Sequence, residues 1–220
     1  MIGFRQLLER VRNKKDYESL TNHYNQVNKL NDELTNHYTY NNEKHHHSLD
    51  KYSGKEYRII NGHLWNVHNK SENLLTATDR TNAEHHIKNI DEAMNVHKTP
   101  KSFSVYSSIR HNFNPEENKV YHHPSFLSTS LSRGTAKFFE KPNVIHKDTG
   151  AEFHHHMLHI HVPKDHPGAF LESVSPGEKE FILPRGTNLR HKHTHTYLKK
   201  GNSPEEKDAY YHVHHMDIVK

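Results

Sequence analysis

The sequence predicts an α+β protein with N-terminal helices packed on two mainly antiparallel sheets. Three observations predict it. Apolar residues recur at helical spacing in the first half, short apolar runs bounded by turn residues fill the second half, and one helical run is inserted among them. The length of 220 residues favours one structural domain overall. Within it, residues 1–80 read as a helical, polar and partly mobile region, and 81–220 as the main folded core.

In chain order, Phe4, Leu7, Leu8 and Val11 mark a short amphipathic helix. From about Lys14 to Lys55 the chain is rich in Asn, His, Tyr and Lys, and a weak stripe of Leu20, Tyr24, Val27 and Leu30 suggests helical pieces. Low complexity there predicts a peripheral segment. A stronger helix runs from about Asn82 to Val96, with Ile87, Ile90, Ala93 and Met94 on one face. Pro100 ends it, because the residue before proline avoids the helical region. Strands are predicted at Phe103–Ile109, Ser125–Ser130, Met157–Val162, Ala169–Glu172, Glu180–Leu183 and Asn188–His195. Ser132 to Glu140 is predicted as a helix with Ser132 as its N-cap, stopped by Pro142. Asn143 to Glu152 reads as a loop, and Pro163–Gly168 and Ser175–Gly177 as turns.

Composition excludes several functions. Lys plus Arg is 30 and Asp plus Glu is 26, a net charge of +4 that is too mild to announce a nucleic-acid binder. With no cysteine there is no disulfide, cysteine nucleophile or thiolate zinc site. No apolar run approaches the ~18 residues of a membrane span, and the first residues show no signal-peptide pattern. A cytoplasmic location without membrane contact is therefore expected. Leu, Ile, Val and Phe make up only roughly a fifth of the chain, near the range where disorder begins. Nine Phe, eleven Tyr and one Trp partly offset this.

The 26 histidines are the strongest compositional signal. At the ordinary imidazole pKa about a quarter would be charged at pH 7, lifting the net charge to about +10. His45–His47 and His154–His156 are triplets, and His159/His161 and His191/His193/His195 alternate with other residues. Alternation on a strand puts each set on one face. Leu158-His159-Ile160-His161-Val162 then explains itself as a half-buried strand, apolar side inward and histidines outward. No HExxH or HxxEH motif occurs, so no metal is required, although a histidine-rich metal-binding protein is an alternative.

Three features occur in order along the core. Arg110 follows the run Ser104–Ile109. Phe126-Leu127-Ser128-Thr129-Ser130-Leu131 opens an apolar lead-in onto three hydroxyls. Glu178-Lys179-Glu180 then sits between the Pro176-Gly177 turn and the apolar Phe181-Ile182-Leu183. Each alone reads as a surface ion pair, a turn or a solvated face. Together and in this order they resemble the arginine–serine–glutamate class of mono-ADP-ribosyltransferases. The helix Ile87–Ala93, the stretch Leu131–Phe139, His159–Pro163 and the Leu183-Pro184-Arg185-Gly186-Thr187 run extend the resemblance over about Asn82 to Thr196. Within that class, the small size and long polar N-terminal region look most like the Alt and Mod transferases of T-even-type bacteriophages. Two departures stand out: Ile109 rather than an aromatic precedes Arg110, and histidines crowd the segment before Met157.

The resemblance implies an ADP-ribosyltransferase-like fold around an NAD cleft, with 81–220 as the catalytic core and NAD⁺ as co-substrate. It implies that Glu180 stabilises the ribosyl cation, and that Ser128 holds Glu180. Glu178 then orients an acceptor arginine and takes its proton. Arg110 grips the NAD phosphate. Thr129 and Ser130 are expected to bond within the strand or toward the nicotinamide. Phe138 or Phe139 can pack near it, but both can equally be core residues, and at least one is expected in the core. If the segment is extended, a spacing of two puts Glu178 and Glu180 on one side. The implied partner is a protein with an exposed arginine, by analogy a host transcription or translation protein in the bacterial cytoplasm. Weak nucleic-acid contact is compatible with a pI of about 9.0. A non-catalytic nucleic-acid-binding protein is the second alternative, disfavoured because Asp and Glu interleave with Lys and Arg.

Overall fold

A computed structural model of the chain describes residues 14–70, 75–109, 113–138, 143–147, 150–200 and 208–220. The amphipathic helix expected around Phe4–Val11 lies outside the described residues. Among the described residues four helices come first: α1 (Lys14–His37), α2 (Glu43–Ser53), α3 (Tyr57–Asn69) and α4 (Ala77–Val96). Local chemistry sets their ends. Asn42 caps α2, its side chain accepting from the Lys44 N–H at 3.0 Å. Thr76 and Asp79 form a reciprocal capping box that starts α4 five residues before the predicted start. Ile87, Ile90, Ala93 and Met94 form the buried face of α4, as their spacing predicts.

Nine strands follow among the described residues: β1 (Phe103–Ile109), β2 (Val120–His123), β3 (Leu127–Ser130), β4 (Asn143–Lys147), β5 (Gly150–Val162), β6 (Ala169–Phe170), β7 (Glu180–Leu183), β8 (Thr187–Lys199) and β9 (Ala209–Val219). A short helix, α5 (Arg133–Phe138), is inserted after β3, and the Ser132 hydroxyl caps it by accepting from the Thr135 N–H at 3.2 Å. The strands hydrogen-bond as one sheet in the order β2-β8-β9-β5-β1-β3-β7-β6, with β4 added to β5, where two sheets are expected from the sequence. All pairs are antiparallel except β5–β9. Strand β1 pairs on both sides and so joins the long histidine-bearing strands to the short β3-β7-β6 set.

Two expectations about local structure are corrected. Of the stretch 143–152, expected as a loop, residues 143–147 form β4 and residues 150–152 start β5, paired from Asn143↔His154 to Lys147↔Gly150. Strand β9 is not anticipated by the sequence pattern, because a run such as Tyr211-His212-Val213-His214-His215 carries no aliphatic alternation. It is nonetheless an interior strand between β5 and β8. Imidazole rings fill the space that aliphatics would otherwise take.

The core lies between the helices and the sheet. The stretch from Lys14 to Lys55 is expected at the periphery, but Leu34, Tyr38, Leu49 and Tyr52 from it are buried in the same cluster as Phe126, Ile160, Phe170 and Phe181. Five aromatic rings surround Tyr38 (His37, Tyr40, His97, Phe170 and Phe181), with centroids 5.0–6.5 Å away. Tyrosines thus replace the missing aliphatics. The alternation in β5 falls as predicted, with Leu158, Ile160 and Val162 buried, His159 half-buried and His161 exposed.

The histidines pack against one another. Across β5 and β9, His154 Nδ1 and His212 Nε2 share a hydrogen bond of 2.9 Å, and His156 Nδ1 and His214 Nε2 one of 3.0 Å. On the other face His159 and His215 pair at 3.1 Å, and His193 stacks on His215 with centroids 4.3 Å apart. Thr194 and Thr196 of β8 complete the inner rows through His214 and His212, each at 2.9 Å. Burial pushes His159 and His166 down to about 4 and His214 to about 3. The expected net charge of about +10 at pH 7 is therefore too high, because it counts every imidazole at its ordinary pKa. Among the described residues, no group of three or more His, Asp or Glu is arranged to hold a metal ion. No described helix is long and apolar enough to cross a membrane.

Candidate active site

The site is built where β1, β3 and β7 meet the helices. Strand β3 pairs with β7 so that Ser128 faces Ile182 and Ser130 faces Glu180, and β1 pairs with β3 at Tyr106↔Ser130. A cavity of about 400 Å³ opens over this junction. Glu178, Glu180, Ser128, Thr129 and Ser130 line it together with Tyr52, Tyr57, Asn61, Trp65, Tyr106 and His123. Five of the seven predicted site residues are therefore brought together. The other two, Arg110 and Phe139, lie outside the described residues, and so does the side chain of Phe138.

The three hydroxyls divide their bonds. Thr129 donates to the Phe181 carbonyl on β7. Ser130 donates to the Glu178 carbonyl at 2.8 Å. Ser128 remains turned to the cavity, where it hydrogen-bonds the Glu180 carboxylate. Ser128 also lies 3.1 Å from the Tyr52 hydroxyl, to which Asn61 Nδ2 donates at 3.1 Å. An ionised carboxylate only accepts, and each hydroxyl has one proton to give. With Glu180 ionised, Ser128 gives its proton to the carboxylate and can only accept from Tyr52, whose hydroxyl accepts from Asn61 and also lies 3.4 Å from the Phe126 carbonyl. Tyr52 is fully buried, and burial holds its hydroxyl pKa well above the ordinary value, so it stays a donor.

Glu180 is 9% exposed. Its pKa is pushed up to about 7, first by burial and then by the nearby Glu178 charge, against the hydrogen bond from Ser128. Glu178 is half-buried at the rim. The extended run expected for Glu178-Lys179-Glu180 is not found. Lys179 takes a left-handed backbone with φ of 50°, so a kink, and not strand alternation, brings both carboxylates to one cavity. Gly177 precedes it with φ of 98°, a conformation that glycine adopts without a Cβ penalty.

Sequence reasoning missed Tyr52, Tyr57, Asn61 and Trp65. They come from α2 and α3, and only the packing of those helices on β3 brings them to Ser128. The local signal was slight: two tyrosines, one asparagine and the only tryptophan within fourteen residues. Trp65 is 40% exposed and meets His123 edge-on at 5.6 Å.

A second cavity, of about 500 Å³, lies behind α3 and is lined by His68, Asp91, His122 and Arg185 among others. Its arginine is paired with Asp91 at 2.8 Å, and neither Glu178 nor Glu180 reaches it. Of the two cavities, it is the one over β3 and β7 that holds the serine and both glutamates.

Residues 13–210 match the ADP-ribosyltransferase exoenzyme family. Solved structures agree on the fold. The Vis toxin, an ADP-ribosyltransferase from Vibrio splendidus, is 15% identical with a TM-score of 0.61, covering 95% of this chain and 87% of that one. Plx2a, an ADP-ribosyltransferase toxin from Paenibacillus larvae, is 17% identical with a TM-score of 0.61 (91% and 96% covered). An ADP-ribosyltransferase from Clostridium botulinum is 16% identical with a TM-score of 0.62 (89% and 96% covered). No curated protein sequence matches the chain. A family match over nearly the whole length, on a fold that gathers the serine and both glutamates at one cavity, gives the conclusion: the chain belongs to the ADP-ribosyltransferase exoenzyme family and is an NAD-dependent mono-ADP-ribosyltransferase.

Proposed function

We propose that the protein transfers ADP-ribose from NAD⁺ to arginine side chains of target proteins. One observation carries the reading: a buried glutamate tied to a serine shares its cavity with a second glutamate two residues before it. The bond between nicotinamide and ribose breaks with its electron pair going to the nicotinamide nitrogen, which leaves neutral. Positive charge grows on the ribose, and ionised Glu180 supplies negative potential where it appears. Ser128 keeps the Glu180 rotamer in place.

A guanidinium nitrogen of the acceptor then forms a bond to the ribose carbon and loses a proton. Guanidinium is a poor nucleophile while fully protonated, so the step needs a nearby base, and Glu178 fills that role. Arg110 holds the NAD phosphate through a forked, charge-assisted contact, and Phe139 packs near the nicotinamide. The arginine assignment has support from a structural neighbour, Vis, which has been solved in complex with agmatine, a guanidinium amine.

The resemblance to phage Alt and Mod transferases supports host transcription or translation proteins as targets, met in the bacterial cytoplasm. A second reading has its own observation: Vis and Plx2a, which share the fold, are toxins, and a toxin of this kind meets its target in another cell. Incubating the protein with labelled NAD⁺ in bacterial and eukaryotic lysates, followed by mass spectrometry of the labelled peptides, tests both. ADP-ribose on arginine is the expected result. Label confined to another residue type would overturn the acceptor assignment, and the lysate that labels decides between the two kinds of target.

A further inference from the structure

The loop between β6 and β7 carries Glu178 and is tied back on itself by one side chain. The Glu172 carboxylate accepts from the Gly177 N–H at 3.0 Å through one oxygen and from the Lys179 N–H at 3.1 Å through the other. Those two amides flank Glu178. Both belong to residues with left-handed backbone, Gly177 (φ of 98°) and Lys179 (φ of 50°), so an ordinary extended segment would not aim them at one acceptor.

Other anchors surround the same residue. Ser130 holds the Glu178 carbonyl at 2.8 Å, and the Leu131 N–H holds the Lys179 carbonyl at 3.0 Å. The Lys179 ammonium reaches Asn28 of α1 and lies 5.7 Å from the Tyr24 ring centre. Among the described residues, Glu172 is the group that grips the backbone on both sides of Glu178 with a charge, and charge-assisted bonds are the strong ones. Glu172 does not line the cavity.

We propose that Glu172 is a positioning residue for the acceptor step, fixing where Glu178 stands while touching neither NAD⁺ nor the acceptor. The inference rests on the reading of Glu178 as the group that serves the acceptor. Misplacing a reacting group by about 1 Å costs on the order of a hundredfold in rate, while Glu180, on β7, keeps its own anchors. Loss of the clamp should therefore separate transfer from NAD⁺ hydrolysis.

The test uses the full chain, NAD⁺, and agmatine as acceptor, with Glu172→Ala, Glu172→Gln and Glu178→Ala in parallel. Glu172→Ala is expected to lower kcat/KM for agmatine by roughly tenfold to a hundredfold. Hydrolysis should stay within about threefold of the parent and KM for NAD⁺ should not move. Glu172→Gln keeps one acceptor oxygen and should fall between. If Glu172→Ala does not fold, Glu172→Gln alone decides, with the same split at smaller size. Parallel loss of hydrolysis and transfer, or transfer at the parent rate, overturns the proposal. Where Glu178→Ala loses transfer and the Glu172 variants do not, only the clamp falls. Where Glu178→Ala keeps transfer, the role of Glu178 falls and the clamp with it.

Discussion

A carboxyl group whose pKa lies near 7 is half ionised at neutral pH, and only its ionised form attracts a ribosyl cation. Glu180 is in that position. The kcat/KM for NAD⁺ is expected to rise with pH through about 7 and then level off. The Ser128 hydrogen bond favours the ionised form, so Ser128→Ala should move this limb to higher pH, as a pH–rate profile of the two proteins would read. Stability gives the same group a second signature. The native pKa is raised above the ordinary value, so Glu180 favours the folded state only while protonated, and its penalty is complete above about pH 7. Glu180→Gln should therefore raise the melting temperature at pH 8, by about 1–3 kcal/mol of stability, and change little at pH 4. Ser128 and the two glutamates were legible in the sequence because each lies in a short contiguous motif. Tyr52 and Asn61 were not. Tyr52 meets Ser128 from 76 residues away, and Asn61 meets the Phe126 carbonyl from 65, a proximity set by helix packing.

At the scale of elements, β7 is the strand on which both sides of the molecule converge. It pairs with β3 to hold the glutamate against the serine, and its Phe181 ring packs on Tyr38 and Phe103. Gly168, just before β6, approaches that ring so closely that a Cβ there would lie 2.4 Å from Phe181 Cζ. Gly168→Ala must displace the ring or the backbone, and should cost about 1–3 kcal/mol, read as a shift in the urea midpoint without change in slope. An unchanged midpoint would mean that the turn yields freely. Strands β1 and β7 match their predicted limits because apolar residues alternate or cluster there between clear turn signals. Strand β9 and the β4–β5 hairpin escaped prediction because histidine and tyrosine read as polar, although stacked rings between strands bury well. The stripe on α4 was readable for the opposite reason, since its aliphatics stand at helical spacing among charged residues.

Over the whole molecule the histidines make the fold sensitive to acid. Eight of them among the described residues have pKa values held below the ordinary value, chiefly by burial: His86, His97, His123, His159, His166, His212, His214 and His215. Each binds a proton less readily in the native state than in the unfolded chain. Stability from these groups is fully present above about pH 6.5 and is lost as pH falls through the native values, about 4 for His159 and His166 and about 3 for His214. Glu180 acts with the opposite sign between its unfolded and native pKa values, but it is one group against eight. Melting temperature should fall steadily from pH 7 to pH 4.5, with proton uptake on unfolding at pH 5; a flat profile would mean that the rows of rings hold a shared charge without cost. The composition announced the histidines but not this behaviour, which depends on which rings pair across β5, β8 and β9. In the proposed reaction Glu180 promotes the breaking of NAD⁺ and Glu178 directs ADP-ribose to arginine. Its most direct test measures nicotinamide release and agmatine labelling side by side in Glu180→Ala and Glu178→Ala, with folding checked by melting. Loss of both activities in the first and of labelling alone in the second is the predicted result, whereas nicotinamide release at the parent rate in Glu180→Ala would contradict it.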